Sequence, residues 1–152
     1  MKCAWKHCKL GNEIKDTDDY VKVSTKCYHT ECNKERENIN ECISLFKEYI
    51  NENVVMAQLR KVINTLIYTD GYSSDYVLFC IKSAVSSTNC KLNYPPGLFY
   101  VCKDQKMMES WKKKTAQEQL KNKKIEITEV ESNSVEYHRN QIKPMSVADL
   151  FE

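Results

Sequence analysis

The chain has 152 residues, a hydrophobic content of 41%, a formal net charge of +2, and only three Gly and three Pro. That length suits one medium domain or a small metal module joined to a compact second unit, and the scarcity of Gly and Pro argues against a many-turned sandwich or barrel, so the class expected is mainly α. The small net charge gives no global drive toward nucleic acid or membrane, and no run approaches the roughly 18 consecutive apolar residues of a membrane span, which predicts a soluble, cytoplasmic protein.

Met1 to Leu10 lacks the apolar run of a secretion signal and meets a Cys/His cluster at once. In a reducing compartment, clustered Cys and His bind metal or simply pack. Position separates the eight cysteines. Cys3, Cys8, Cys27 and Cys32 lie in a polar opening segment, residues 1–35, whereas Cys42, Cys80, Cys90 and Cys102 stand among apolar residues and read as buried small hydrophobes. The opening segment also holds a Gly11-Asn12 turn signal and a β-like run, Tyr20-Val21-Lys22-Val23.

Structural zinc takes four ligands in a tetrahedron, usually as two close pairs separated by a loop. Cys3 and Cys8 form a C-x4-C pair and His29 with Cys32 an H-x2-C pair. Two ligands three apart on the first turn of a helix point the same way, so His29 and Cys32 can share one ion. His7 beside Cys8 and Cys27 beside His29 remain competing ligands. The pattern resembles a treble-clef or LIM-half zinc finger, which implies a knuckle, a short hairpin and a ligand-bearing helix start, although its first pair is wider than in those families. The expected cofactor is zinc, in a structural role. A Cys/His hydrolase would need one thiol selected by an imidazole, and a zinc nuclease would need further His and acidic residues; neither pattern is present, so no enzyme is expected.

Helical periodicity fills residues 36–119. Ile39, Ile43, Phe46 and Ile50 share one face of a first helix ending near Asn51 to Asn53. Val55, Leu59, Val62 and Leu66 repeat the pattern on a second, closed by Asp70-Gly71 and expected to pair antiparallel with the first. A third starts after Ser73 or Ser74, either of which can cap it, and runs through Tyr76, Phe79, Cys80, Ala84 and Val85. Pro95-Pro96-Gly97 forces a break, after which Leu98, Val101, Met108 and Trp111 predict a fourth helix running into a Lys-rich stretch. The segment Tyr94-Pro95-Pro96-Gly97-Leu98-Phe99-Tyr100, with Trp111 downstream, is similar to the signature that closes the DnaD-like replication domain, which implies contacts with single-stranded DNA and a helicase loader. Read from their spacing alone, Tyr94, Phe99, Tyr100 and Trp111 are core aromatics.

Residues 103–124 carry a local excess of five positive charges, whereas residues 125–152 carry a net charge of −4. Lys112, Lys113, Lys114 and Lys121 are candidate phosphate contacts, with a solvated helix face as the other reading. Residues 120–152 read as an extended or disordered tail with a β-like run at 125–130. At its end, Asp149-Leu150-Phe151 places two large apolar side chains that cannot bury themselves locally, so they either dock in a partner pocket or fold back on the chain's own core, and Val147 to Phe151 resembles the peptide that docks bacterial replication proteins on the sliding clamp, with Val147 where that motif has Gln.

Together these features predict a non-enzymatic accessory protein, of phage or mobile-element type, that binds nucleic acid or a replication or transcription machine. The alternative is an inhibitor that binds a host or defence protein and makes no contact with nucleic acid.

Overall fold

A computed structural model of the chain describes residues 1–15, 17–87 and 92–133, without the side chains of 124–133. The order of elements is a hairpin, β1 (Tyr20–Val23) and β2 (Lys26–His29), followed by five helices. These are α1 (Thr30–Leu45), α2 (Met56–Asn64), α3 (Ser74–Ser86), α4 (Gly97–Lys103) and α5 (Gln105–Asn133). The described residues are thus mainly helical, with one small antiparallel sheet at the N-terminus. Met1–Lys113 forms one compact body, and a second unit begins at Lys114.

The β-like run at Tyr20 forms β1 and pairs antiparallel with β2, Val23 opposite Lys26, so Ser24 and Thr25 make a two-residue turn. Ser24 sits at φ 58, the left-handed conformation such tight hairpin turns demand. Ahead of the hairpin, the chain doubles back on itself: Ile14 N–H donates to the Met1 carbonyl (2.7 Å) and Cys3 N–H to the Asn12 carbonyl (2.8 Å). Ala4 N–H then donates to the Cys27 carbonyl (2.8 Å), which ties this opening to β2.

Helix α1 follows β2 without a linker and buries Ile39 and Cys42. It continues into one wider π-helical turn, Phe46–Ile50, which seats Phe46 fully inside the core. Helix α2 likewise ends in a π-helical turn, Thr65–Thr69. Gly71, at φ 78, then lets the Tyr72 N–H return to the Leu66 carbonyl at 3.0 Å and close the helix. Ser73 caps α3 by accepting from the Tyr76 N–H (3.2 Å). The principal partner of α1 is α3 rather than the expected α2. Polar groups help set this pairing: buried Asn38 on α1 donates to Ser74 Oγ and Asp75 Oδ1, both at 3.0 Å, so its amide is not left unsatisfied.

The main core gathers Phe46, Leu59, Ile63, Leu66, Val77, Ile81 and Leu98. Cys42, Cys80 and Cys102 are buried within it as small hydrophobes, and Cys90 lies outside the described residues. A second, smaller cluster holds Cys3, Ile14, Tyr28 and Cys32, and Trp5 packs against both.

Four local expectations are corrected. Val55, placed on the apolar stripe of α2, is 63% exposed because it stands before the first helical residue with an extended backbone, which turns its side chain off the stripe. The single helix expected beyond Pro96 is two helices, because Asp104 is extended, ends α4 and caps α5 by accepting from the Lys106 N–H (3.2 Å). Tyr94 and Tyr100, expected in the core, are 71% and 81% exposed, while Phe99 and Trp111 do pack on it. The Pro95-Pro96 turn directs Pro95 and Leu98 inward, and Tyr100, two residues past Leu98, falls on the opposite face of α4. The backbone is helical from 120 to 133, where an extended chain with a β-like run was expected. The Lys-, Glu- and Gln-rich stretch before it favours propagation of a helix already started, and this outweighs the few β-branched residues at 125–130.

Candidate metal centre

Three segments bring the candidate ligands together. Cys3 comes from the pairing of the N-terminus with Asn12, and Cys8 from a tight turn in which the Cys8 N–H donates to the Trp5 carbonyl (3.3 Å). His29 and Cys32 come from the last residue of β2 and the first turn of α1. The Sγ atoms of Cys3, Cys8 and Cys32 and a ring nitrogen of His29 all lie within 4.8 Å of one another. His29 Nδ1 is 3.4 Å from Cys8 Sγ and 3.9 Å from Cys32 Sγ. With metal–sulfur and metal–nitrogen bonds near 2.3 and 2.0 Å, neighbouring S and N ligands of a tetrahedral zinc stand about 3.5 Å apart. The cluster therefore has the size of a tetrahedral coordination shell and can hold one metal ion.

The two close choices left by the sequence are resolved by position. His7, beside Cys8, lies outside the cluster with its ring stacked on Tyr68, centroids 3.9 Å apart and planes at 17°. Cys27 points away, its thiol 3.9 Å from the Met1 sulfur. Cys3, Cys32 and His29 are buried, and Cys8 is half-buried at the rim.

The donor set has a charge problem that a cation solves. Burial pushes the Cys3 thiol up, but hydrogen bonds from the Trp5 and His29 backbone, then from the His29 and Cys8 side chains, outweigh it and hold Cys3 at about 7. Burial pushes Cys32 up to about 12, with the adjoining Cys8 and Cys3 thiols adding to the effect. The first thiolate thus opposes the next, whereas a divalent ion would stabilise all three.

His29 carries a further sign. With Nδ1 facing the thiols, its Nε2 is buried and has no hydrogen-bond partner among the described residues. The nearest acid is Asp18, whose Oδ2 is 3.8 Å away and accepts from the Lys15 N–H at 2.9 Å. A histidine that ligates through Nδ1 keeps its proton on Nε2, and a carboxylate on that side fixes the tautomer.

The other candidates are placed less tightly. Lys112, Lys113, Lys114 and Lys121 are exposed on α5, and Lys114 pairs with Glu118 at 3.9 Å. Three consecutive helix positions fan around the axis, so Lys112 to Lys114 do not form one stripe. Lys112 edges a small apolar hollow with Tyr72, Tyr76 and Trp111. Asp149, Leu150 and Phe151 lie outside the described residues. Among the described residues, no helix is long and apolar enough to cross a membrane. Comparison with protein-family models, curated proteins and solved structures gives no significant match.

Proposed function

We propose that the chain is a non-enzymatic accessory protein, built on a structural zinc centre at Cys3, Cys8, His29 and Cys32, that binds nucleic acid within a replication or transcription machine of a phage or mobile element. The observation that carries the zinc reading is the four-donor cluster, three of its members buried, at tetrahedral spacing. Three thiols and one imidazole are the donor set of Cys3His structural sites, and four protein ligands leave no open position for a catalytic water. The nucleic-acid reading is supported by the exposed lysines of α5 and by the knuckle itself, where residues 1–12 carry Lys2, Lys6 and Lys9 and no acid.

A mobility-shift titration with single-stranded and duplex DNA across a salt series tests this reading. Binding that weakens steeply with salt is the expected result, and no shift at low salt would refute it.

One observation favours a second reading, an inhibitor that grips a host or defence protein. Tyr94 and Tyr100 are exposed on either side of buried Leu98, and exposed tyrosines are enriched where proteins meet. On that reading, the wild-type chain gives no shift in the DNA titration, and a Tyr94→Ala/Tyr100→Ala variant loses a protein partner.

A further inference from the structure

His7 is left over by the metal centre, and its position marks a second site. Along α2 and its π-helical end, the stripe opposite the buried Leu59, Val62 and Leu66 consists of Ala57, Arg60, Lys61, Asn64, Thr65, Tyr68 and Thr69. With His7 from the knuckle, this stripe lines a groove of about 570 Å³, within the range of small-molecule and cofactor sites.

Its chemistry is one-sided. Two cations and several neutral hydrogen-bonding groups line it, and no acid does. Arg60 and Lys61 are exposed and have no acidic partner among the described residues. The nearby Glu35 is already engaged, accepting from Trp5 Nε1 (3.1 Å) and from the Tyr68 hydroxyl. That hydroxyl bond and the stacked His7 ring hold Tyr68 in place, so the His7–Tyr68 pair is a fixed aromatic platform at the edge of the cationic stripe. The groove is floored by a π-helical turn, a feature that recurs at functional sites.

We infer that this groove between the knuckle and α2 binds a single strand of nucleic acid, with phosphates on Arg60 and Lys61 and a base stacked on the His7–Tyr68 platform. A cationic track beside an aromatic platform is how single strands are held without sequence preference. A bare phosphate would use the cations and leave the platform empty. The site deepens the nucleic-acid reading above and rests on it, but it moves the main contact from the α5 lysines to α2.

The test measures binding of a fluorescein-labelled oligodeoxythymidylate to the zinc-loaded full chain by anisotropy, for wild type, Arg60→Glu/Lys61→Glu, His7→Ala and Lys112→Glu/Lys113→Glu. Far-UV circular dichroism and zinc content establish that each variant is folded and loaded. The Arg60/Lys61 variant is expected to lose at least about tenfold in affinity and to flatten the log–log salt slope by about 1.4, the share of two phosphate contacts on a single strand. His7→Ala is expected to lose about fivefold or more, the lower bound for one stacked base. Wild-type affinity in the folded Arg60/Lys61 variant would overturn the groove; if the α5 variant alone lost binding, the nucleic-acid reading would stand without it. Absence of binding by wild type would overturn both.

Discussion

At the scale of single residues, the metal centre depends on one imidazole being held with the correct nitrogen inward. His29 presents Nδ1 to the thiols and Nε2 toward Asp18. Asp18→Asn removes the negative charge 3.8 Å from Nε2 without removing a ligand, so it is expected to weaken zinc binding by less than the roughly tenfold of a hydrogen-bonded outer-sphere partner while leaving the helical signal intact. Competition with a chromophoric chelator reads this directly, and unchanged affinity would remove Asp18 from the site. Acidity acts in the same direction. Zinc must displace protons from Cys32, held at about 12 in the metal-free chain, and from Cys3, held at about 7. The thiolates zinc requires become scarcer as pH falls, so apparent affinity is expected to drop on acidification, most visibly below pH 7 where Cys3 too is protonated. Of the ligand set, Cys32 and the H-x2-C spacing were legible in the sequence, since two donors three apart at a helix start must share a side. The choice of Cys8 over His7 was not, because it turns on the aromatic stack between His7 and Tyr68, a contact between residues sixty-one apart in the chain.

At the scale of elements, apolar spacing gave α1, α2 and α3 their faces, and packing decided what those faces met. Leu59 stands on the inner face of α2, fully buried in the main core. Leu59→Ala is expected to cost about 3 kcal/mol, the usual scale for a Leu-to-Ala cavity in a core, measured by urea denaturation; a cost under about 1 kcal/mol would mean that the core closes over the gap. Where the sequence misled, a local backbone event intervened. Val55 leaves its stripe because the helix begins one residue later, and Asp104 splits a continuous apolar pattern because its side chain caps a new helix. The Asp104 signal was present, since Asp is a favoured cap. The exposure of Tyr94 and Tyr100 carried no such signal, because it follows from the direction in which the Pro95-Pro96 turn delivers α4.

At the scale of the molecule, the body formed by residues 1–113 holds two apolar clusters of unequal size. The larger can stabilise the helices by burial alone. The smaller, with Ile14 and Tyr28 beside two of the ligand cysteines, is too small to hold the hairpin without further support. Ligation of a metal ion by Cys3, Cys8, His29 and Cys32 would supply that support, on the order of 10 kcal/mol in small zinc modules. Removal of the ion is thus expected to unfold the N-terminal module and leave most of the helical signal. Trp5 reports the event, since it packs against both clusters and donates to Glu35. In a Trp111→Phe background its emission is expected to shift to the red on chelation, and an unchanged spectrum would show that the module stands without metal.

The proposed function depends first on Cys3, Cys8, His29 and Cys32 closing around one zinc ion. Metal analysis and native mass spectrometry of the purified full chain test it most directly. The expected result is about one zinc per chain, set by the four-ligand site, falling sharply in a Cys32→Ser variant. A metal-free chain that keeps its hairpin, with Trp5 emission indifferent to added zinc, would contradict it.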